Sequence, residues 1–166
     1  MVAVLFVHNT VVKAGHPMLV QTGEPVSNCV SRNNLFVGTK APYAMEFGPE
    51  ATHCDFDYDG FAGGPFNLFL KWNGKRYKTP EEAVAKASVY RNAKLMEARD
   101  LFAAGVQPPE SPEKQWPVEA NDLRLKPGSP AADAGQALPG LNDGFGGAAP
   151  DLGAYELGAT PPQQEQ

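Results

Sequence analysis

The chain of 166 residues contains no apolar run approaching the ~20 residues that a membrane-crossing helix requires. Positive charge is also scarce. Fourteen Lys and Arg against 19 Asp and Glu leave a net charge of −5, and no segment carries a basic stripe. A nucleic-acid backbone is therefore excluded as an expected partner, as is a membrane. Only two cysteines are present, and the three histidines (His8, His16 and His53) are scattered, so the paired ligand spacing of a zinc site is missing. His53 precedes Cys54, but adjacent strand residues face opposite ways, which excludes a catalytic Cys–His pair there. The glycine-rich run at 143–147 lacks the G-x-x-x-x-G-K-[ST] spacing of a phosphate cradle. Residues 1–7 are apolar but have neither a basic leader nor a small-residue cleavage site, so they read as a strand and not as a signal peptide.

Glycine and proline are plentiful, at 17 and 16 residues, which describes one turn-rich domain. Its order is a self-match at a spacing of 25 residues. Asn9, Asn34 and Asp59 fall in one register, as do Val4, Cys29 and Cys54, and Val11, Phe36 and Phe61. Met18, Tyr43 and Leu68 follow, then Val20, Met45 and Leu70, then Thr22, Phe47 and Trp72. A period of this length marks a stacked array of coils. Within each repeat the residues alternate with period two, the signature of strands. Met18, Val20 and Thr22 and their counterparts are expected inward. Leu19, Gln21, Ala44, Glu46, Phe69 and Lys71 are expected outward. A leucine-rich horseshoe is excluded, because no leucine consensus repeats.

Three short strands per coil, stacked in parallel, predict an all-β fold: a short right-handed parallel β-helix of about three coils over residues 2–78. The asparagines at one corner are expected to form a ladder, since Asn tolerates left-handed backbone and its amide can bond the next coil. Cys29 and Cys54 then lie one strand spacing apart, as a buried pair of thiols or as a somewhat strained disulfide. Asn73-Gly74 ends the register as a turn. Thr79-Pro80-Glu81-Glu82 starts a helical insertion over 79–105, with Thr79 as cap and Glu82 closing a capping box. A linker at 106–120, a closing segment at 121–157 and a disordered tail at 158–166 complete the expected organisation.

Two stretches carry a resemblance. Leu123-Arg-Leu-Lys-Pro-Gly-Ser-Pro-Ala-Ala-Asp-Ala-Gly135 and Pro150-Asp-Leu-Gly-Ala-Tyr-Glu156 resemble the ending of secreted right-handed parallel β-helix proteins of the pectate-lyase-like superfamily. Asn33-Asn34-Leu35-Phe36, Phe56-Asp57-Tyr58-Asp59-Gly60 and Trp72-Asn73-Gly74 resemble its coils. The resemblance implies that the ending closes the solenoid as a last coil, and it suggests an extracellular or periplasmic protein. It also implies a chain shorter than its kind, a truncated C-terminal portion whose bare first coil is expected to pair in a homodimer.

In that superfamily polysaccharide lies along one parallel sheet. By resemblance the groove sheet here carries Gln21, Glu46 and Lys71, with Phe69 beside them. Lys71 is then a candidate base or carboxylate clamp, Glu46 its partner, and Gln21, Phe69 and Arg32 candidate substrate contacts. The alternative is a cross-strand ion pair worth ~0.2–1 kcal/mol. Asp55, Asp57 and Asp59 form a candidate calcium site, although Arg32 is expected directly over Asp57 and explains part of the cluster. The expected function is a carbohydrate-associated module without independent catalysis. The alternatives are an active polysaccharide lyase or glycoside hydrolase, and an oligomeric scaffold.

Overall fold

The computed structural model describes residues 3–111, 113 and 121–159. The chain start at Met1 and Val2, most of the expected linker and the tail from Thr160 lie outside these. In order, the elements are β1 (Leu5–Val7), β2 (Thr10–Val12), β3 (Met18–Val20), β4 (Val26–Ser27), β5 (Val30–Arg32), β6 (Leu35–Gly38) and β7 (Ala41–Phe47). There follow β8 (Ala51–Thr52), β9 (Asp55–Phe56), β10 (Gly60–Gly63), β11 (Phe66–Trp72), β12 (Lys75–Tyr77), α1 (Pro80–Ala87) and β13 (Lys94–Met96). The protein is predominantly sheet, and among the described residues its paired strands are parallel apart from the β11–β12 hairpin.

The 25-residue period is the pairing rule. Leu5 pairs with Val30 and Val30 with Asp55. Thr10 pairs with Leu35 and Leu35 with Gly60, Val26 with Ala51, and Ala41 with Phe66. The sheets are ordered β1-β5-β9, β2-β6-β10-β13, β3-β7-β11-β12 and β4-β8, with the first-repeat strands together at one edge. The backbone turns left-handed at two positions of each repeat: Ala3, Asn28 and His53, then His8, Asn33 and Tyr58. The corner residues that leave the ordinary backbone regions are thus the neighbours of Asn9, Asn34 and Asp59, which frees those side chains to bond from repeat to repeat. Gly63 is also left-handed (φ 99°), and a Cβ there would collide with the carbonyl of Gly38 in the repeat below.

One step departs from the period. β3 pairs with β7 as Met18↔Met45 and Leu19↔Glu46, a shift of 27 residues where 25 was expected. The connection before β3 is two residues shorter than in the next repeat, and the connection after it is two longer. A two-residue shift keeps every side chain on its own face, so the apolar pattern tolerates it. The alternation expected within β7 and β11 also fails at one point. Ala44 and Phe69 are buried together with their chain neighbours Met45 and Leu70.

Two apolar clusters result. The inner one contains Phe36, Phe47, Phe56, Phe61, Phe69, Leu70, Trp72 and Tyr90. Tyr90 lies over the third repeat, with its ring centroid 5.4 Å from Phe61, 5.8 Å from Phe69 and 6.2 Å from Phe56. The second cluster lies on the other side of β6 and joins Leu35, Val37 and Ala62 to Leu101, Phe102, Leu125 and Leu152. Cys29 and Cys54 are free thiols.

The insertion is helical only in its first part. Thr79 Oγ accepts the Glu82 amide at 3.3 Å, Glu82 Oε2 accepts the Lys78 amide at 2.6 Å, and α1 stops at Ala87 with Ser88 left-handed. Residues 90–96 then rejoin the array at a spacing of 34. Tyr90 N–H donates to Phe56 O, Lys94 N–H donates to Asp59 O, and β13 pairs in parallel with β10. Leu95 is therefore a strand residue opposite Phe61, where a helical face was expected.

The closing segment adds no strand to the end of the array. It lies sideways on the β2-β6-β10 sheet. Gly153 N–H donates to Asn33 O at 2.8 Å, Ala154 N–H to Thr10 Oγ at 2.9 Å, and Leu152 is fully buried. Asp133 accepts the amides of Ala148 and Ala149, and Asp151 accepts that of Asp133, so both carboxylates brace this segment.

Candidate functional site

The outer face of the β3-β7-β11-β12 sheet gathers one polar row. Glu46 and Lys71 are register partners on β7 and β11, and Lys71 Nζ donates to Glu46 Oε1 at 2.9 Å. The two-residue shift brings a third member. His16, just before β3, places Nε2 3.2 Å from Glu46 Oε2 and its ring 6.2 Å from that of Tyr43. The β11–β12 hairpin supplies a fourth. Trp72-Asn73-Gly74-Lys75 has Asn73 and Gly74 at positive φ, as a tight hairpin turn demands. The reversal sets Arg76 opposite Lys71, and Arg76 Nε donates to the Tyr43 hydroxyl at 2.6 Å. The Tyr43 bond holds the Arg76 guanidinium above its ordinary pKa.

Glu46 is the single carboxylate of this row; it accepts the Lys71 ammonium and lies close to the His16 ring. Its side chain is 12% exposed. Lys71 and Arg76 remain reachable from solvent, so the row carries an excess of donors and positive charge. Such a strip offers donors and positive charge suited to a carboxylate-bearing ligand.

The other expected contacts lie elsewhere. Gln21 is exposed beyond β3 and sits beside Gly48, because the shift places Leu19 next to Glu46. Phe69 is 2% exposed and packs against Phe61 and Tyr90, so it offers no ring to a ligand. Arg32 is buried as well. Its Nη1 donates to the carbonyls of Ser31 and Asp55 at 2.8 Å, its Nη2 to Asp55 Oδ2 at 2.5 Å, and its Nε to Gln136 at 3.0 Å.

The three aspartates diverge. Asp55 takes Arg32, which was expected over Asp57. Asp57 accepts the backbone and side-chain amides of Asn92 at 2.6 and 2.9 Å. Asp59 turns inside, where Ser31 Oγ donates to it at 2.6 Å and both nitrogens of Asn34 donate to it at 2.9 Å. Among the described residues no group of three His, Cys, Asp or Glu is placed to hold a metal.

Asp59 is the last member of a chain of amide bonds, since Asn9 Nδ2 donates to Asn34 Oδ1 and Asn34 Nδ2 to Asp59 Oδ1, both at 2.9 Å. At the 34-residue spacing its successor is Ala93, which has nothing to accept. A terminal acceptor suffices, and Asp supplies one. Burial pushes its carboxyl up to about 6 against the hydrogen bonds that lower it.

Sequence reasoning missed His16 and Tyr43 as members of the row, since the first arrives through the shifted pairing and the second was expected to face inward. Comparison of the chain with known family profiles, with characterised proteins and with solved structures finds no match.

Proposed function

We propose that this chain is a short right-handed parallel β-helix of pectate-lyase-like kind, acting as a module that contacts an acidic glycan without catalysing its cleavage. The observation that carries the proposal is the row His16–Glu46–Lys71 with Arg76 on Tyr43. It sets two reachable cations on an otherwise acidic protein and keeps its one carboxylate engaged. Three strands ~4.8 Å apart span ~10 Å, enough for two or three sugar residues along the sheet. The test is a calorimetric titration with short oligogalacturonates beside neutral oligosaccharides of equal length. The expected result is salt-sensitive binding of the acidic series alone, weakened several-fold in Lys71→Ala and in Arg76→Ala, with no unsaturated product absorbing in the ultraviolet. Equal binding of neutral glycans, or release of such a product, refutes it.

The scaffold alternative has its own support. β1, β2 and β3 expose their outer edges at one end of the array, and none of them contains Lys, Arg, Asp, Glu or Pro. Edge strands that must stay single are usually protected by such residues. An apolar hollow of about 100 Å³ lined by Val4, Phe6, Met18, Val20 and Phe47 opens there. At the opposite end β12 is antiparallel and β13 carries a lysine, so a second copy would meet this one head to head in a closed two-fold dimer.

A further inference from the structure

One cleft lies on neither the cationic row nor the open edge. It has a volume of about 410 Å³ and forms where the closing segment crosses the end of β1. Its lining includes Val7, His8, Leu141, Asn142, Phe145 and Glu156. Val7, Leu141 and Phe145 make its walls apolar, and Leu141 is 58% exposed.

Most polar groups at this cleft are already engaged. His8 Nε2 faces the amide nitrogens of Asn142 at 2.9 Å and Asn33 at 3.1 Å, which can only donate. The ring is therefore assigned the Nδ1–H tautomer, with Nδ1 3.2 Å from Gly153 O. Asn142 also donates to Gln136 O and accepts the Leu138 amide. Glu156 is different. Its carboxylate accepts the Asp151 amide at 3.1 Å and a backbone bond from Gly146, and an ionised carboxylate has about four acceptor sites. It keeps capacity toward the cleft. Partial burial pushes its carboxyl above the ordinary value, with the Asp151 charge adding to the effect.

We propose that this cleft binds a small organic ammonium ion, with the charged nitrogen on Glu156 and the alkyl stem against Leu141, Phe145 and Val7. A largely apolar hollow of this size with one carboxylate in its lining matches a cation that brings its own apolar surface. The proposal does not rest on glycan contact, since the two sites share no residue.

The probe is n-butylammonium chloride, titrated into the 15N-labelled chain beside n-butanol and sodium butyrate. Butylammonium is expected to shift the amides of 141–145 and 153–156 saturably, while the other two leave them unchanged. Glu156→Gln keeps a carbonyl for the Asp151 amide and is expected to weaken binding about tenfold. Leu141→Ala alters an exposed wall that the fold does not need, and is expected to weaken it about threefold while leaving the spectrum otherwise native. Equal shifts from butanol, absence of saturation, or native affinity in both variants overturns the proposal.

Discussion

Asp59→Asn tests the chain of amide bonds at its most sensitive point. Asp59 has no exposed surface, and its carboxyl titrates at about 6 in the fold against an ordinary value of 3.8. The folded state therefore holds this proton more tightly than the unfolded state does. The stabilisation that follows is complete below about pH 4 and is lost as pH rises through about 6. Two pKa units correspond to about 3 kcal/mol, so the ionised carboxylate is carried at neutral pH at roughly that cost. Asparagine has the same shape and does not ionise. Its carbonyl still accepts both nitrogens of Asn34, and its amide nitrogen still reaches Ser31 Oγ.

Urea denaturation followed by circular dichroism, on native and variant chains at pH 4 and pH 8, reads the effect. The stability of the variant relative to the native chain is expected to improve by about 3 kcal/mol between the two pH values. Other groups also titrate in this range. Partial burial raises Glu156, while the Arg124 guanidinium holds Asp122 at about 2. They are common to both chains and cancel in the difference. A difference that stays constant with pH, or that moves against the variant, refutes the reasoning that burial dominates at Asp59.

Phe69→Ala is expected to lower stability by about 3–5 kcal/mol, because the ring fills the inner cluster. A thermal-melt loss below about 1 kcal/mol would return Phe69 to the surface. Leu152→Ala is expected to remove about 2–5 kcal/mol and to raise amide exchange at Gly153 and Gly135 together. Unchanged exchange would mean that the closing segment is not integral to the fold. Millimolar calcium is expected to leave the melting midpoint in place, since Asp55, Asp57 and Asp59 each have other partners; a saturable rise would reinstate the metal site. Light scattering on a sizing column is expected to give twice the chain mass if the uncharged β1–β3 edges pair head to head, and a monomer would end that proposal.

The register was legible because repetition is a strong signal. Like residues recur every 25 positions when the strands they belong to are neighbours, and the observed pairs Leu5↔Val30, Thr10↔Leu35 and Lys71↔Glu46 follow from that alone. Alternation was a weaker guide. It assigned Glu46 and Lys71 to the outer face, and it misplaced Phe69 because the consecutive residues Phe69 and Leu70 are both buried. The α1 start was legible from Thr79-Pro80-Glu81-Glu82, which is local chemistry. The rejoining at Tyr90 was not, since nine additional residues put it out of register with a search at 25.

The candidate sites sit where the period breaks, and this is why they were harder to see than the fold. His16 meets Glu46 only because the connection before β3 is two residues short. Arg76 meets Tyr43 only because the chain reverses at Asn73-Gly74. Asp59 is acidic where Asn9 and Asn34 are amides, because no donor-accepting residue follows it at Ala93. The cleft at Glu156 joins residues almost 150 positions apart through a segment that runs across the array. A repeating sequence makes each layer resemble the next, so a regular stretch gives a ligand the same surface at every level. Distinct chemistry requires a layer that differs from its neighbours. In a short array of this kind the exceptions to the period, far more than the period itself, are the places to look for binding.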